Sequence, residues 1–148
     1  MTISKGSFRI AAVVSFAVAV FQAVITFVPS WCLYFGAPEQ LVSHPLLLLI
    51  AGLVAAIVFA LFGCYALSGA RDIRPLPLLR PGLVVIGALY LLRGLMLIPQ
   101  VLVMSGMLKA AETVAPHMAV TSLVSLCIGV LYFAGILSGW RDLSVKTN

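Results

Sequence analysis

The stretch Leu89-Tyr90-Leu91-Leu92-Arg93-Gly94-Leu95-Met96-Leu97-Ile98-Pro99-Gln100 decides the fold class, because it is an apolar run with one permanently charged side chain in its middle. The apolar run extends from residue 82 to about residue 103. At ~1.5 Å per residue it is long enough to cross a bilayer as a helix. A guanidinium at the centre of such a helix costs about 3 kcal/mol or more, so Arg93 is a candidate functional site by its position alone.

The composition of the whole chain points to the same class. The 148 residues are 63% hydrophobic and 9% charged, and the mean hydropathy of +1.20 is far above that of a soluble domain. The net charge is +5, but the basic residues lie at the ends of the apolar segments. There they indicate topology and contact with anionic lipid on the cytoplasmic face rather than nucleic-acid binding.

Four apolar segments are long enough to span a membrane, and they predict an all-α integral membrane protein with one transmembrane domain over residues 1–148. The segments cover about residues 10–29, 46–68, 82–103 and 118–138. We expect the first segment to be retained, because it is longer than the apolar region of a signal peptide. Lys and Arg concentrate in the head, the central loop and the tail. This distribution predicts cytoplasmic termini in a plasma membrane, most simply a bacterial inner membrane.

Two halves of the chain resemble each other. Residues 66–72 and 136–142 share the pattern Leu-Ser-Gly-x-Arg-Asp at an offset of 70 residues. With a shift of one residue the alignment continues backwards, and it pairs Pro45 with Pro116, Gln22 with Arg93 and Arg9 with Arg80. We interpret the chain as two tandem helical hairpins, one over about residues 9–72 and the other over about residues 80–142, related by an axis along the membrane normal. Convergence on similar caps and prolines is the alternative.

The repeat predicts a polar site at mid-membrane. Tyr90, Arg93 and Gln100 share one face of the third segment, and Gln22 lies at a similar depth on the first segment, so we expect the two faces to meet inside the bundle. All acidic residues of the chain lie in loops or at segment ends: Glu39, Asp72, Glu112 and Asp142. The counter-ion of Arg93 is therefore a ligand, a lipid or another chain. Two interpretations of Arg93 follow: it lines an anion-accepting cavity, or it makes a structural or inter-subunit contact. We favour the second.

Small residues predict where helices approach each other, and prolines predict where they bend. Gly52, Ala56 and Ala60 recur at intervals of four residues on the second segment, and Gly135 and Gly139 form a small-x-x-x-small pair on the fourth. Pro99 and Pro29 each leave a carbonyl four residues earlier without its helical donor, which predicts a kink near Pro99.

A metal site is only weakly indicated. His44 and His117 precede the second and fourth segments on the same side of the membrane, but their spacing matches no metal motif. We therefore expect no metal or cofactor. The three cysteines form no C-x-x-C pair, which removes the signature of a redox-active dithiol.

No catalytic motif is visible. The apolar segments contain no Asp, Glu or His that could act as a general base, and the chain has no glycine-rich phosphate loop. The first hypothesis is a non-enzymatic subunit or accessory of a larger membrane assembly, partnered by its own copies or by other membrane subunits. The alternative is a small oligomeric channel or carrier for an anionic or amphipathic solute, centred on Arg93. A membrane enzyme that uses an external cofactor or a lipid substrate is the weakest hypothesis.

Overall fold

The computed structural model describes residues 2–35, 37–107 and 116–139, and within these ranges the chain is helical and contains no strand. The helices are α1 (Thr2–Thr26), α2 (Pro29–Tyr34), α3 (Glu39–Val42), α4 (Pro45–Gly69), α5 (Leu79–Leu95), α6 (Leu97–Met104) and α7 (Pro116–Gly139). The all-α class predicted from the sequence is thereby confirmed.

Four stretches are long and apolar enough to cross a membrane: Lys5–Thr26, Pro45–Gly69, Leu79–Met104 and Pro116–Gly139. Only 22% to 33% of the residues in the most apolar window of each stretch are buried inside the protein. Most of the apolar surface of each helix is therefore left for a bilayer or for other subunits to cover. The protein is a multi-pass membrane protein.

Proline ends the first membrane helix earlier than its apolar composition suggests. The sequence places the end of this segment near residue 29, but α1 stops at Thr26, because Val28 is extended and Pro29 begins α2. Pro29 has no N–H to donate to the carbonyl of Ile25. This carbonyl accepts instead from the Val28 amide at 2.9 Å and from the Cys32 thiol at 3.1 Å. The break therefore leaves no orphaned acceptor at Ile25.

The third apolar stretch is interrupted at the place that its proline predicts. α5 ends at Leu95, Met96 forms a turn, and α6 begins at Leu97, two residues before Pro99. The cause is the missing N–H of Pro99, which cannot bond the carbonyl of Leu95.

Helix packing is uneven. α1 packs along α4, α5 packs along α7, and α1 also contacts α7 over a substantial length, whereas α4 and α5 touch much less. The core contains Phe8 of α1, Leu83 of α5, and Ile128 and Tyr132 of α7, each at most 1% exposed. Phe8 is central, because its ring lies against the α-carbons of both Gly69 and Gly135.

Residues of the repeated Leu-Ser-Gly-x-Arg-Asp pattern organise the connection between α4 and α5. The buried Ser68 hydroxyl donates to the Arg74 carbonyl at 3.2 Å and accepts from the Leu76 amide at 2.9 Å. Asp72 accepts two hydrogen bonds from the Arg9 guanidinium, at 2.7 and 2.8 Å. The connection is thus held against the ends of α1 and α4. The second copy of the pattern continues beyond Gly139 into residues outside the described ranges.

Candidate functional site

The structure distributes the four polar residues predicted to share a site, namely Gln22, Tyr90, Arg93 and Gln100, over separate places. Tyr90 lies in the core, Arg93 lies beside α7, Gln100 lies on α6, and Gln22 lines a cavity between α1 and α4. The described residues include no hydrogen bond between Gln22 and Arg93, and the polar partner of Arg93 is a serine. The four side chains therefore occupy separate environments.

Tyr90 belongs to a buried polar cluster at the centre of the bundle. Its hydroxyl lies 3.4 Å from the hydroxyl of Ser15 on α1, which is fully buried. The ring of Tyr90 stacks on that of Tyr132 at a centroid separation of 5.9 Å. The Tyr132 hydroxyl in turn donates to the carbonyl of Phe62 on α4 at 2.7 Å. The cluster joins all four membrane stretches, so its first effect is to fix how they pack.

Arg93 is exposed, and within the part of the chain that the structure describes it forms no ion pair. It lies fourteen residues after Leu79 and eleven before Met104, the two ends of its membrane stretch. Its Nη1 donates to the hydroxyl of Ser122, a fully buried residue of α7, at 3.3 Å. The four membrane stretches contain no Asp or Glu. A neutral hydroxyl satisfies one donor of the guanidinium but leaves its charge uncompensated at mid-membrane.

The backbones of α5 and α7 come into close contact next to Arg93. A β-carbon on Gly94 would lie 2.6 Å from the α-carbon of Leu126. One turn before Gly94 on α5, the side chain of Leu91 would lie 2.8 Å from a β-carbon on Gly129 of α7. These two glycines allow the helices to come together, and this approach positions Ser122 to receive the Arg93 hydrogen bond.

Gln100 is half-buried on α6, beyond the break at Met96. Its Oε1 is buried and accepts no hydrogen bond within the part of the chain that the structure describes. An amide oxygen without a donor is costly in an apolar medium. Gln100 therefore offers a second polar group on the same membrane stretch as Arg93, but the structure places no contact between the two side chains.

Gln22 lines a cavity of about 290 Å³ at the end of the bundle that carries α2 and α3. The cavity is bounded by residues of α1, α2, α3 and α4 and of the α2–α3 connection. Thr26 is also part of its wall and donates its hydroxyl hydrogen bond to the Gln22 carbonyl at 2.7 Å. None of the lining side chains is charged.

The small residues predicted to pack helices lie at several different contacts. Gly52 is buried against Thr26 of α1, and Gly135 is buried against Phe8. Ala56 is buried, Ala60 is half-buried and Gly139 is buried. Gly129, which the sequence pairs with Ser125 as a second small-x-x-x-small motif, does lie at a close helix contact, whereas Gly94 was not predicted as a packing residue.

The two histidines are in different surroundings. His44 is exposed at the start of α4, whereas His117 stacks on the ring of Tyr34 at a centroid separation of 3.9 Å. The described residues contain no group of three or more possible metal ligands. His44 and His117 remain weak candidates on the sequence alone.

Sequence reasoning missed two partners that the structure assigns, Ser122 and Tyr132. Both carried a usable signal. A tyrosine in the middle of an apolar helix lies away from the membrane interface, where tyrosine is usually found, and therefore needs an internal hydrogen-bond partner. A serine at mid-helix is likewise a natural partner for a buried donor on a neighbouring helix. Comparisons with protein-family models, curated proteins and solved structures find no match for this chain.

Proposed function

We propose that the protein is a non-enzymatic subunit of a larger membrane assembly, and that the exposed side of α5 around Arg93 contacts a partner subunit. The observation that carries the proposal is the exposed guanidinium of Arg93 at the middle of a membrane stretch, with the Ser122 hydroxyl as its hydrogen-bond partner. An arginine facing lipid at this depth is strongly unfavourable, so an assembly that covers it with an opposite charge gains stability.

The partner surface should carry a carboxylate at the same depth. A second copy of this chain cannot supply it, because the membrane stretches contain no Asp or Glu. The neighbouring exposed residues of α5 are apolar and include Val85, Leu89 and Leu92. They suit a partner helix that is apolar except for one acidic residue. We therefore infer a heteromeric contact at this face, and self-association elsewhere is compatible with it.

The proposed topology places both termini in the cytoplasm of a bacterial cell, with the two halves of the chain as parallel hairpins. The arginines Arg9, Arg71 and Arg74 lie at one end of the bundle, where the Arg9–Asp72 ion pair joins α1 to the α4–α5 connection. This supports a cytoplasmic end that faces anionic lipid. Tyr132 bonds Phe62 at a separation of 70 residues. That is the offset of the sequence repeat, so this contact supports a duplicated arrangement.

The alternative of a channel or carrier centred on Arg93 has less support. In that alternative Gln22 supplements Arg93 at the binding site, but Gln22 lines a cavity with uncharged walls while Arg93 lies at the α5–α7 contact. The alternative of an enzyme with an external cofactor or a lipid substrate has no observation in its favour.

The test is the assembly state of the full chain after gentle extraction from its native membrane. Native mass spectrometry should find the wild-type chain with at least one different protein subunit, and Arg93→Met should lose this subunit while keeping a helical circular-dichroism spectrum. Arg93→Lys should retain part of the complex, because it keeps the charge but not the planar guanidinium.

Arg74→Met is the matched control, since it removes an exposed arginine from the α4–α5 connection rather than from the membrane stretch. It should leave the complex intact. The proposal is wrong if wild-type protein and Arg93→Met carry the same partners in the same amounts. It is equally wrong if the wild-type chain carries only phospholipid, since headgroup phosphate would then be the counter-ion.

A further inference from the structure

The cavity beside Gln22 has the features of a binding site that is separate from the proposed subunit contact. Thirteen residues, about three and a half turns of helix, separate Gln22 from Arg9 on α1, and the cavity lies at the opposite end of the bundle. Its volume of about 290 Å³ is close to the lower limit of pockets that hold small organic ligands, which is about 300 Å³. It reaches from the exposed Ala51 to the buried Leu48, so it connects the surface with the protein interior.

The break between α1 and α2 creates this cavity. Because α1 stops at Thr26, the chain turns away and α2 and α3 cross the end of the bundle instead of continuing the helix. Cys32 closes one side, with its thiol donating to the Ile25 carbonyl. Gly52 closes another, where the Thr26 hydroxyl would lie only 2.0 Å from an added β-carbon. The wall is therefore closely packed apart from the opening.

The polar groups of the wall are engaged except for one. The Thr26 hydroxyl donates to the Gln22 carbonyl and the Cys32 thiol donates to the Ile25 carbonyl. The side-chain amide of Gln22 makes no hydrogen bond within the described residues, and the apolar side chains of Ile25, Leu41 and Leu48 line the same cavity. A free amide in such apolar surroundings favours an occupant that hydrogen-bonds it.

The chemistry of the wall specifies the occupant. Since no charged side chain lines the cavity, a charged ligand would be desolvated without compensation. A primary amide both donates and accepts, and a hydroxyl is the smallest single group that can use both functions. We propose that this cavity binds an apolar alcohol, with its hydroxyl on the Gln22 amide and its hydrocarbon body against Ile25, Leu41 and Leu48.

A photoreactive alcohol tests the proposal with the full chain in liposomes. An octanol that carries a diazirine should form adducts on cavity residues, and an excess of plain 1-octanol should reduce them. A diazirine-bearing octane of the same length, which has no hydroxyl, should label the cavity about tenfold less, the factor expected for one hydrogen bond. Adduct positions are read by mass spectrometry of peptides.

Gln22→Leu should lower cavity labelling by the alcohol to the level of the alkane probe, and Gln40→Leu, the same change at an exposed position of α3, should not. Circular dichroism of both variants verifies that they remain helical. The proposal is overturned if the two probes label the cavity equally, or if adducts lie only on lipid-facing residues such as Val54 and Ile57. It is also overturned if an excess of 1-octanol does not reduce the labelling, because the adducts would then not report a saturable site for the alcohol. None of these outcomes depends on Arg93 or its partner.

Discussion

Gly94 offers the sharpest test of the packing that positions Arg93. In Gly94→Ala, the new β-carbon would lie 2.6 Å from the Leu126 α-carbon and 2.7 Å from its backbone nitrogen, whereas ordinary contacts begin near 3.4 Å. These obstacles are backbone atoms, so no side-chain rotation relieves them. α5 and α7 must separate by nearly 1 Å, and we expect the resulting loss of packing to cost about 1–3 kcal/mol.

The measurement is unfolding in sodium dodecyl sulfate mixed micelles, followed by far-ultraviolet circular dichroism. Gly6→Ala is the control, because nothing lies within 4 Å of a β-carbon at that position of α1. Both variants share the gain of about 1 kcal/mol that alanine has over glycine in a helix. The difference in unfolding free energy between them therefore isolates the packing cost. Equal stabilities would refute the close α5–α7 contact, and with it the geometry that brings Ser122 to Arg93.

Two further predictions concern polar contacts. Tyr132→Phe removes a 2.7 Å hydrogen bond to the Phe62 carbonyl and should lower the unfolding free energy by about 1 kcal/mol in the same assay. Tyr90→Phe should lower it less, because the hydrogen bond of Tyr90 to Ser15 is 3.4 Å long. A larger loss for Tyr90→Phe than for Tyr132→Phe would contradict this prediction. At the end of the bundle, the hydrogen bonds from Arg9 hold the pKa of the Asp72 carboxyl below its ordinary value of 3.8. The stabilisation of the folded protein by the Arg9–Asp72 ion pair is therefore present above pH 3.8 and is lost as the pH falls through the lower pKa that Asp72 has in the folded protein. The thermal unfolding temperature in dodecyl maltoside should therefore fall more steeply with acid for wild type than for Arg9→Gln. Unfolding temperatures that fall in parallel with pH in the two proteins would contradict this role of the ion pair.

The class of the protein could be predicted from the sequence because it rests on composition and length. Four apolar stretches of more than twenty residues leave little choice besides membrane helices, and the residues that the structure describes include four helical stretches of this kind. The interruption before Pro99 was also predictable, since a missing N–H acts on the backbone locally. The earlier end of α1 follows from the same chemistry, but it shows that hydropathy does not mark where a helix stops: residues 27 and 28 are apolar and yet lie outside α1.

The arrangement of the polar site was harder to predict, because it depends on which helices become neighbours. Helical periodicity places Tyr90 and Arg93 on one face, but it does not say how that face is divided between two neighbours. In the structure α5 lies along α7 and meets α1 only locally, so Tyr90 reaches Ser15 of α1 while Arg93 reaches Ser122 of α7. Gly94 and Gly129 allow that contact, but a small residue in the sequence does not say which neighbouring helix it will face.

The proposed duplication, followed by divergence, would account for the different surroundings of the two predicted partners Gln22 and Arg93. If the halves arose from one hairpin, these aligned positions began as the same residue in the same environment. α1 now contacts both α4 and α7, whereas α5 contacts mainly α7, so the position on α1 became enclosed and the one on α5 stayed exposed. A neutral amide suits an enclosed cavity, because it can be satisfied by an uncharged occupant. A guanidinium suits the exposed face, where a partner's carboxylate can neutralise it. On this argument the subunit contact and the cavity are the separate outcomes of one ancestral polar position.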